Sequence, residues 1–228
     1  MNKDTKGADT KPRASASDRI VRDVLRGLYE GRYVAGQRLV EPDLVTRYNV
    51  SRSSVREAIK RLAAQGVVEA QHNRGARIRQ LTRKEARNIL MITEVIVGLA
   101  ARLAAENIDQ TGARADLEEA LAALMAANTD DNRYDFVRMR NRFHRTMARI
   151  SGSPELEQTL ANLQVHLVRN RLVMKPEDRA ASYKRIADAI LNGDGVAAED
   201  AARRHVRVMI DLLDQVYVPP FLGEETVD

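Results

Sequence analysis

Arg52, Arg56 and Lys60 step by four residues through the stretch that begins Asn49-Val50-Ser51-Arg52-Ser53-Ser54. Four-residue steps place side chains on one face of a helix, so the three cations form a single ridge. Val55, Ala58, Ile59 and Leu62 recur at three- and four-residue spacing and make a separate, buried stripe. Ser51 or Ser53 can cap the open N–H groups at the helix start. Cations and small hydroxyls near a helix N-terminus suit DNA phosphates and guanine edges in a major groove. A solvated helix face has the same composition, so the surrounding chain must decide.

A second group of residues lies far downstream. In the stretch from Tyr134 to Ile150 the apolar stripe is Phe136, Phe143, Met147 and Ile150, with Arg140 on it and His144 beside it. In the last helical stretch His205 lies at the centre of a stripe formed by Ala201, Val208, Met209, Leu212 and Val216. Tyr183 shares the inner face of the preceding stretch with Ile186, Ala187 and Ile190. Tyr183 and His205 lie at similar distances from the turn at Asn192 to Gly195, so an antiparallel pair of helices brings them to one height, roughly 16 Å from that turn. Polar groups converging inside a bundle cost free energy unless satisfied, and a bound small molecule is one way to satisfy them. A single histidine bonded to a core carbonyl is the plainer reading of any one of them.

Composition narrows the field. The chain has 228 residues, 44% hydrophobic and 30% charged, enough for one large domain or two ordinary ones. Cysteine is absent, which excludes disulfides and thiolate metal sites. No run reaches the length of a membrane span; the longest apolar cluster, Ile89 to Ala104, is broken by Thr93, Glu94 and Arg102. The N-terminus lacks the apolar core of a secretory signal, so a cytoplasmic location and no membrane partner are expected. Charge is uneven: residues 1–17 carry +2, residues 18–80 carry +6 and residues 81–228 carry −3, against +5 for the whole. A basic first third joined to a mildly acidic remainder fits a nucleic-acid-binding module coupled to one with another task.

The elements that must position these residues follow from periodicity. Residues 1–17 read as a disordered tail. Helices are predicted from Asp18 to Glu30, from Glu41 to Tyr48, and from the capped Ser51 stretch to Gly66. Val67-Val68-Glu69-Ala70 and Ala76-Arg77-Ile78-Arg79 read as strands around the loop Gln71 to Gly75. Three helices with a tight turn before the third, followed by a hairpin, make a winged helix-turn-helix over residues 18–80. Glu57 and Arg61 are four apart and should pair on the exposed face, worth about a few tenths of a kcal/mol. After the hinge Leu81-Thr82-Arg83 the chain reads helical throughout: Lys84–Asn107, Asp116–Ala127, Tyr134–Ile150, Pro154–Met174, Glu177–Leu191 and Val196–Tyr217. The first of these is apolar around most of its surface and should be central. The fold class is therefore mostly α, a winged helix-turn-helix followed by an all-α antiparallel bundle of about six helices spanning 84–217. Residues 218–228 read as a tail.

The run Gly36-x-Arg38-Leu39-x-Glu41-x-x-Leu44, then Val50 to Ala58, Leu62-x-x-x-Gly66-Val67-Val68 and Asn73-Arg74-Gly75, resembles the GntR family of bacterial transcription regulators. The resemblance implies that Arg52 and Arg56 touch bases or phosphates, that Ser51 and Ser53 bond phosphates, and that His72, Asn73 and Arg74 on the wing reach the adjacent groove. Lys60 extends the same ridge. The family's usual Thr-Pro after the first Arg is Ser53-Ser54 here, which keeps the hydroxyl. The second part resembles the effector-binding FCD domain of the fatty-acid-regulator-like branch, through Gly98 to Ala105, Asn141-Arg142-Phe143-His144, Ser151-Gly152-Ser153-Pro154, Ile186 to Ile190 and Arg204-His205.

Many members of that branch hold a divalent metal through an aspartate or asparagine and three histidines. The matching positions here are Arg140, His144, Tyr183 and His205, so only two imidazoles remain. A guanidinium at a cation site adds repulsion on the order of several kcal/mol in a low-dielectric setting, and no cofactor and no bound metal are expected. Arg140 would instead hold an anionic effector directly. Thr93 and Val97 stand where the family often has Arg and Glu, making that side more apolar.

The chain is thus expected to be a homodimeric regulator, a repressor, with double-stranded operator DNA and a small anionic metabolite as partners. It is not expected to be an enzyme. An enzyme using His144 or His205 as general base is the alternative, without a nucleophile elbow, phosphate loop or paired carboxylates behind it. A DNA-binding protein with no effector is a third reading.

Overall fold

Ser15 opens the first helix. In the computed structural model, which describes residues 15–71, 75–129, 133–162, 172 and 174–215, helix α1 spans Ala16–Tyr29. The Ser15 hydroxyl accepts the Asp18 N–H at 3.0 Å while the Asp18 carboxylate accepts the Ser15 N–H at 3.0 Å. This reciprocal capping box satisfies two open donors. The helix therefore begins two residues before the expected Asp18, and Ser15 to Ser17 belong to it; the remainder of the expected tail, residues 1–14, lies outside the described residues.

The early start changes what Arg61 does. Ser17 is buried and donates to Glu57 at 3.0 Å, while Arg61 donates to the Ser17 hydroxyl at 3.2 Å and pairs with Asp18 at 2.7 Å. The expected Glu57–Arg61 pair is replaced by a link in which Ser17 stands between the two and Asp18 takes the cation. The hydrogen bond with the Ser15 side chain, then that with Arg61, holds the Asp18 carboxyl down at about 2. A folded-state value below the unfolded one contributes stability above about pH 4 that is lost as pH falls towards 2. Asp18→Asn should therefore flatten the acid limb of a melting-temperature profile between pH 4 and pH 2. A limb parallel to that of the parent chain would remove Asp18 from the linkage.

Helix α2, Glu41–Tyr48, and helix α3, Arg52–Ala64, form the helix-turn-helix. Pro42 sits in the first turn of α2, where no N–H is needed, and Asn49 ends it in the left-handed conformation at φ 48°. Val55, Ala58, Ile59 and Leu62 are all buried, as the spacing requires, and pack with Ile20, Val24, Leu39 and Leu44. Among the described residues the sheet has three strands, the hairpin and one short strand ahead of α2. β2, Val68–Gln71, and β3, Gly75–Ile78, make the hairpin, and β1, Arg38–Leu39, adds to the outer edge of β3 in the order β1-β3-β2. Gly75 lies at φ 83° with Leu39 O 2.6 Å from where a Cβ would stand, so the β1–β3 approach needs glycine there.

Thr82 caps helix α4, Arg83–Glu106, through a second capping box with Glu85. Helices α5 (Ala113–Ala126), α6 (Arg133–Ile150), α7 (Pro154–Asn162), α8 (Pro176–Leu191) and α9 (Gly195–Gln215) follow, giving six helices in this part among the described residues. The expected extension of α7 to Met174 runs mostly through residues outside the described set. α4 packs lengthwise on α9 and also meets α6 and α8. At Gly98 a Cβ would stand 2.8 Å from Arg203 Cγ, which marks how closely α9 lies on α4. By length and composition α4 could cross a membrane, but it is the core helix of this bundle, with Ala100, Ala101 and Ala104 fully buried.

One expectation fails in the bundle. The buried face of α9 is Ala198, Ala201, Ala202, His205, Val206, Met209, Ile210 and Leu213, so Ala201, His205 and Met209 face inward as read, while Val208, read as part of the stripe, is 41% exposed. α4 is central, as expected, and one of its faces stays open. Met91, Ile92, Val95 and Leu99 are 51, 53, 48 and 38% exposed, at spacings that form one continuous apolar face.

Candidate DNA-reading helix and buried polar cluster

Ser51 accepts the Ser54 N–H at 3.2 Å and so is the cap of α3, leaving Ser53 free of that task. Its hydroxyl also lies 2.8 Å from that of Ser53 and 3.0 Å from that of Ser54. Three hydroxyls thus gather at the positive end of a helix, a natural place for a phosphate. Ser51, Arg52, Ser53, Arg56 and Lys60 are all exposed. Arg56 is not a bare cation: its Nε lies 3.1 Å from Glu41 at the start of α2, although the side chain remains two-thirds exposed. That ion pair sets the direction in which the guanidinium leaves the helix. The wing residues His72, Asn73 and Arg74 lie outside the described residues.

The frame that holds α3 is polar as well as apolar. Tyr48 donates to Asp23 and lies 3.3 Å from the Tyr33 hydroxyl, which accepts from Arg47 at 2.9 Å. Burial, then the hydrogen bond to Asp23, pushes the Tyr48 hydroxyl well above its ordinary range, so it remains a donor at any physiological pH. These contacts tie the end of α2 to α1 and so fix the turn before α3.

In the bundle, the structure brings three of the four chosen polar residues together. The Tyr183 ring lies 4.6 Å from the His205 ring and 5.8 Å from the His144 ring, centroid to centroid. Tyr183 and His205 meet across the α8–α9 pair, at matched height. The Tyr183 hydroxyl is 3.4 Å from His144 Nε2, and Phe143 packs edge-on against both Tyr183 and His144. His205 Nδ1 lies 2.9 Å from the Ser182 hydroxyl. Ser182 was missed by the sequence reading. It precedes Tyr183 and sits one turn before Ile186, so the signal was a hydroxyl on the inner face of α8.

Arg140 stands apart. It is only 6% exposed, one turn before His144 on α6. One terminal nitrogen donates to Asn141 Oδ1 at 3.0 Å, and its Nε has no hydrogen-bond partner among the described residues. Among the described residues no carboxylate pairs with it. An unsatisfied buried polar group of this kind costs about 1–3 kcal/mol, more when charged. Arg179, one turn before Tyr183, is differently placed: it stacks 4.3 Å over Phe136 and donates to Asn128 at 3.0 Å.

The metal implied by the family resemblance does not fit these residues. A guanidinium stands at the carboxylate position, a phenol at one imidazole position, and the facing nitrogens of the two histidines already meet Tyr183 and Ser182. Among the described residues no three His, Asp or Glu side chains come together to hold a cation.

The comparisons with known proteins agree with this two-part geometry. Residues 16–78 match the family model described as bacterial regulatory proteins, gntR family, and residues 88–208 match the FCD domain. The chain is 28% identical over 191 residues to a probable D-xylose utilization operon transcriptional repressor of Paenarthrobacter nicotinovorans, covering 82% of this chain and 84% of that one. It is 27% identical over 210 residues to the HTH-type transcriptional repressor RspR of Escherichia coli, covering 90% and 92%. The fold is shared with the solved structure of Escherichia coli McbR/YncC at a TM-score of 0.74 and 19% identity, over 90% of this chain and 100% of that one. A GntR regulator from Rhodococcus sp. gives 0.72 and 19%, over 89% and 99%. The chain belongs to the GntR family of bacterial transcription regulators, in the branch that carries an FCD domain.

Proposed function

We propose that this regulator is a cytoplasmic homodimeric repressor, acting by binding and not by catalysis, whose α3 helices read the two halves of an operator. The observation that carries the reading is the exposed ridge of Arg52, Arg56 and Lys60 behind the hydroxyl cluster at the start of α3. Arg52 and Arg56 are assigned to base edges, Ser51 and Ser53 to phosphates, Lys60 to the backbone further along, and His72, Asn73 and Arg74 to the adjacent groove. Residues 18–80 form the DNA-reading unit and 84–217 the effector-binding and dimerising unit in this scheme.

The dimer is assigned to the apolar face Met91, Ile92, Val95 and Leu99 of α4, because a face of this kind is seldom left in water. The effector is assigned to Arg140 together with the cluster of His144, Tyr183 and His205, which begins one turn further along α6. Helix α6 offers a route between the two units: Tyr134 at its start lies under Arg26 of α1, 5.0 Å from guanidinium carbon to ring centre. A ligand that shifts α6 therefore moves a group in contact with the DNA-reading unit. That several relatives are named as repressors supports the sign of the control, and one of them is a galactonate operon repressor.

Selection from a pool of random duplexes tests the reading. The full chain should enrich a two-fold symmetric site with half-sites about one helical turn apart or a multiple of it. Recovery of unenriched sequence would contradict it.

A further inference from the structure

We infer that Arg140 is the resident cation of a metal-free site for one carboxylate, on a small acid whose body is apolar or aromatic. This rests on the effector reading above and adds the chemistry of the ligand. A guanidinium cannot shed its charge in a protein, so burying it demands a compensating anion. Arg140 is 6% exposed, its Nε is orphaned, and its recorded partner is the neutral amide of Asn141. A planar carboxylate matches the two-pronged geometry of the group that is left over.

The neighbourhood selects against a hydroxyl-rich acid. Phe136 and Phe143 flank Arg140 on the α6 stripe, and both belong with Val97 and Tyr183 to one buried apolar cluster. Two hydroxyls of the adjoining cluster are already engaged, Tyr183 with His144 and Ser182 with His205. A hydroxyl of a sugar acid placed against this apolar stripe would lose water without gaining a partner. An aromatic or aliphatic body loses nothing by the transfer. Half-buried His144, one turn from Arg140, is where the cluster approaches the surface.

The test uses the full chain, with sodium benzoate as probe, benzamide as its neutral isostere, sodium gluconate as the hydroxylated acid, and manganese chloride as the metal alone. Benzoate should raise the melting temperature and titrate in calorimetry, since a ligand of the folded state alone stabilises it. Benzamide, gluconate and manganese should leave the melting temperature unchanged. Arg140→Lys should weaken benzoate at least tenfold, and Arg140→Met should abolish its effect. Arg140→Met should also melt above the parent chain without ligand, because an apolar side chain removes an uncompensated buried charge. Equal stabilisation by benzamide or gluconate, benzoate binding that survives Arg140→Met, no response to benzoate, or a Met variant that melts lower would each overturn the inference. Stabilisation by manganese would restore a metal to the two histidines and overturn it as well. Operator selection by the same preparations separates the failures: a chain that selects DNA but ignores benzoate keeps the regulator reading and loses only this one.

Discussion

Arg52→Ala is expected to weaken binding to the selected operator by about 1–3 kcal/mol, and Arg56→Ala by a similar amount, a loss of roughly five- to 150-fold each. Binding to a scrambled duplex should fall much less, because a base contact contributes only where its base is present. Equal losses on both duplexes would show that these side chains neutralise phosphates and read nothing; the slope of log affinity against log salt would then fall by about one per residue. Glu41 makes the two positions unequal. Arg56 leaves α3 under the direction of Glu41 at 3.1 Å, whereas Arg52 has no such partner among the described residues. Fluorescence anisotropy on the two duplexes separates the cases.

Val95→Glu is expected to have an effect as large by a different route. The residue is 48% exposed in the middle of the Met91, Ile92, Val95, Leu99 face, so a single chain should accept the carboxylate with little loss of stability. Two copies pressed together at this face would bring two carboxylates into an apolar interface, a cost of several kcal/mol. Sedimentation should show a monomer. Operator affinity should fall by about 100-fold or more, because each reading helix then binds without the raised effective concentration supplied by its partner. A dimer that persists with full affinity would move the interface elsewhere.

Local signals carried the DNA-reading unit. Pro42, the left-handed Asn49 and the Val55–Leu62 stripe fix α2 and α3 through contacts within a few residues, and the spacing alone locates them. The start of α1 was misread because Ser15 and Asp18 form their capping box inside a segment whose composition is that of a loose tail. The pairing of Arg61 with Asp18 depends on α1 lying beside α3, a tertiary fact that an i,i+4 rule does not contain. The addition of β1 to the sheet is of the same kind, since two residues carry no periodicity.

In the bundle the residue types were legible and their surroundings were not. Tyr183 and His205 were placed opposite each other from turn geometry alone. Ser182, their neighbour, was passed over because serine on an apolar face is a weak signal. On α9 the reading placed Ala201, His205 and Met209 correctly and failed at Val208, since apolar residues lie on both sides of the stripe there. The exposed face of α4 was invisible in principle: the side chains it presents are of the same types as those its other face buries in the core. Arg140 was legible as a cation on an apolar stripe, but its missing partner could be seen only in three dimensions.

The most direct measurement of ligand control is operator affinity with and without a carboxylate that stabilises the full chain. A regulator of this design should bind its selected duplex five- to 150-fold differently when saturated with that acid, a coupling of about 1–3 kcal/mol. By linkage the duplex should change the affinity for the acid by the same factor. Operator affinity that stays constant while the acid saturates its site would contradict control of the α3 helices by the helical domain.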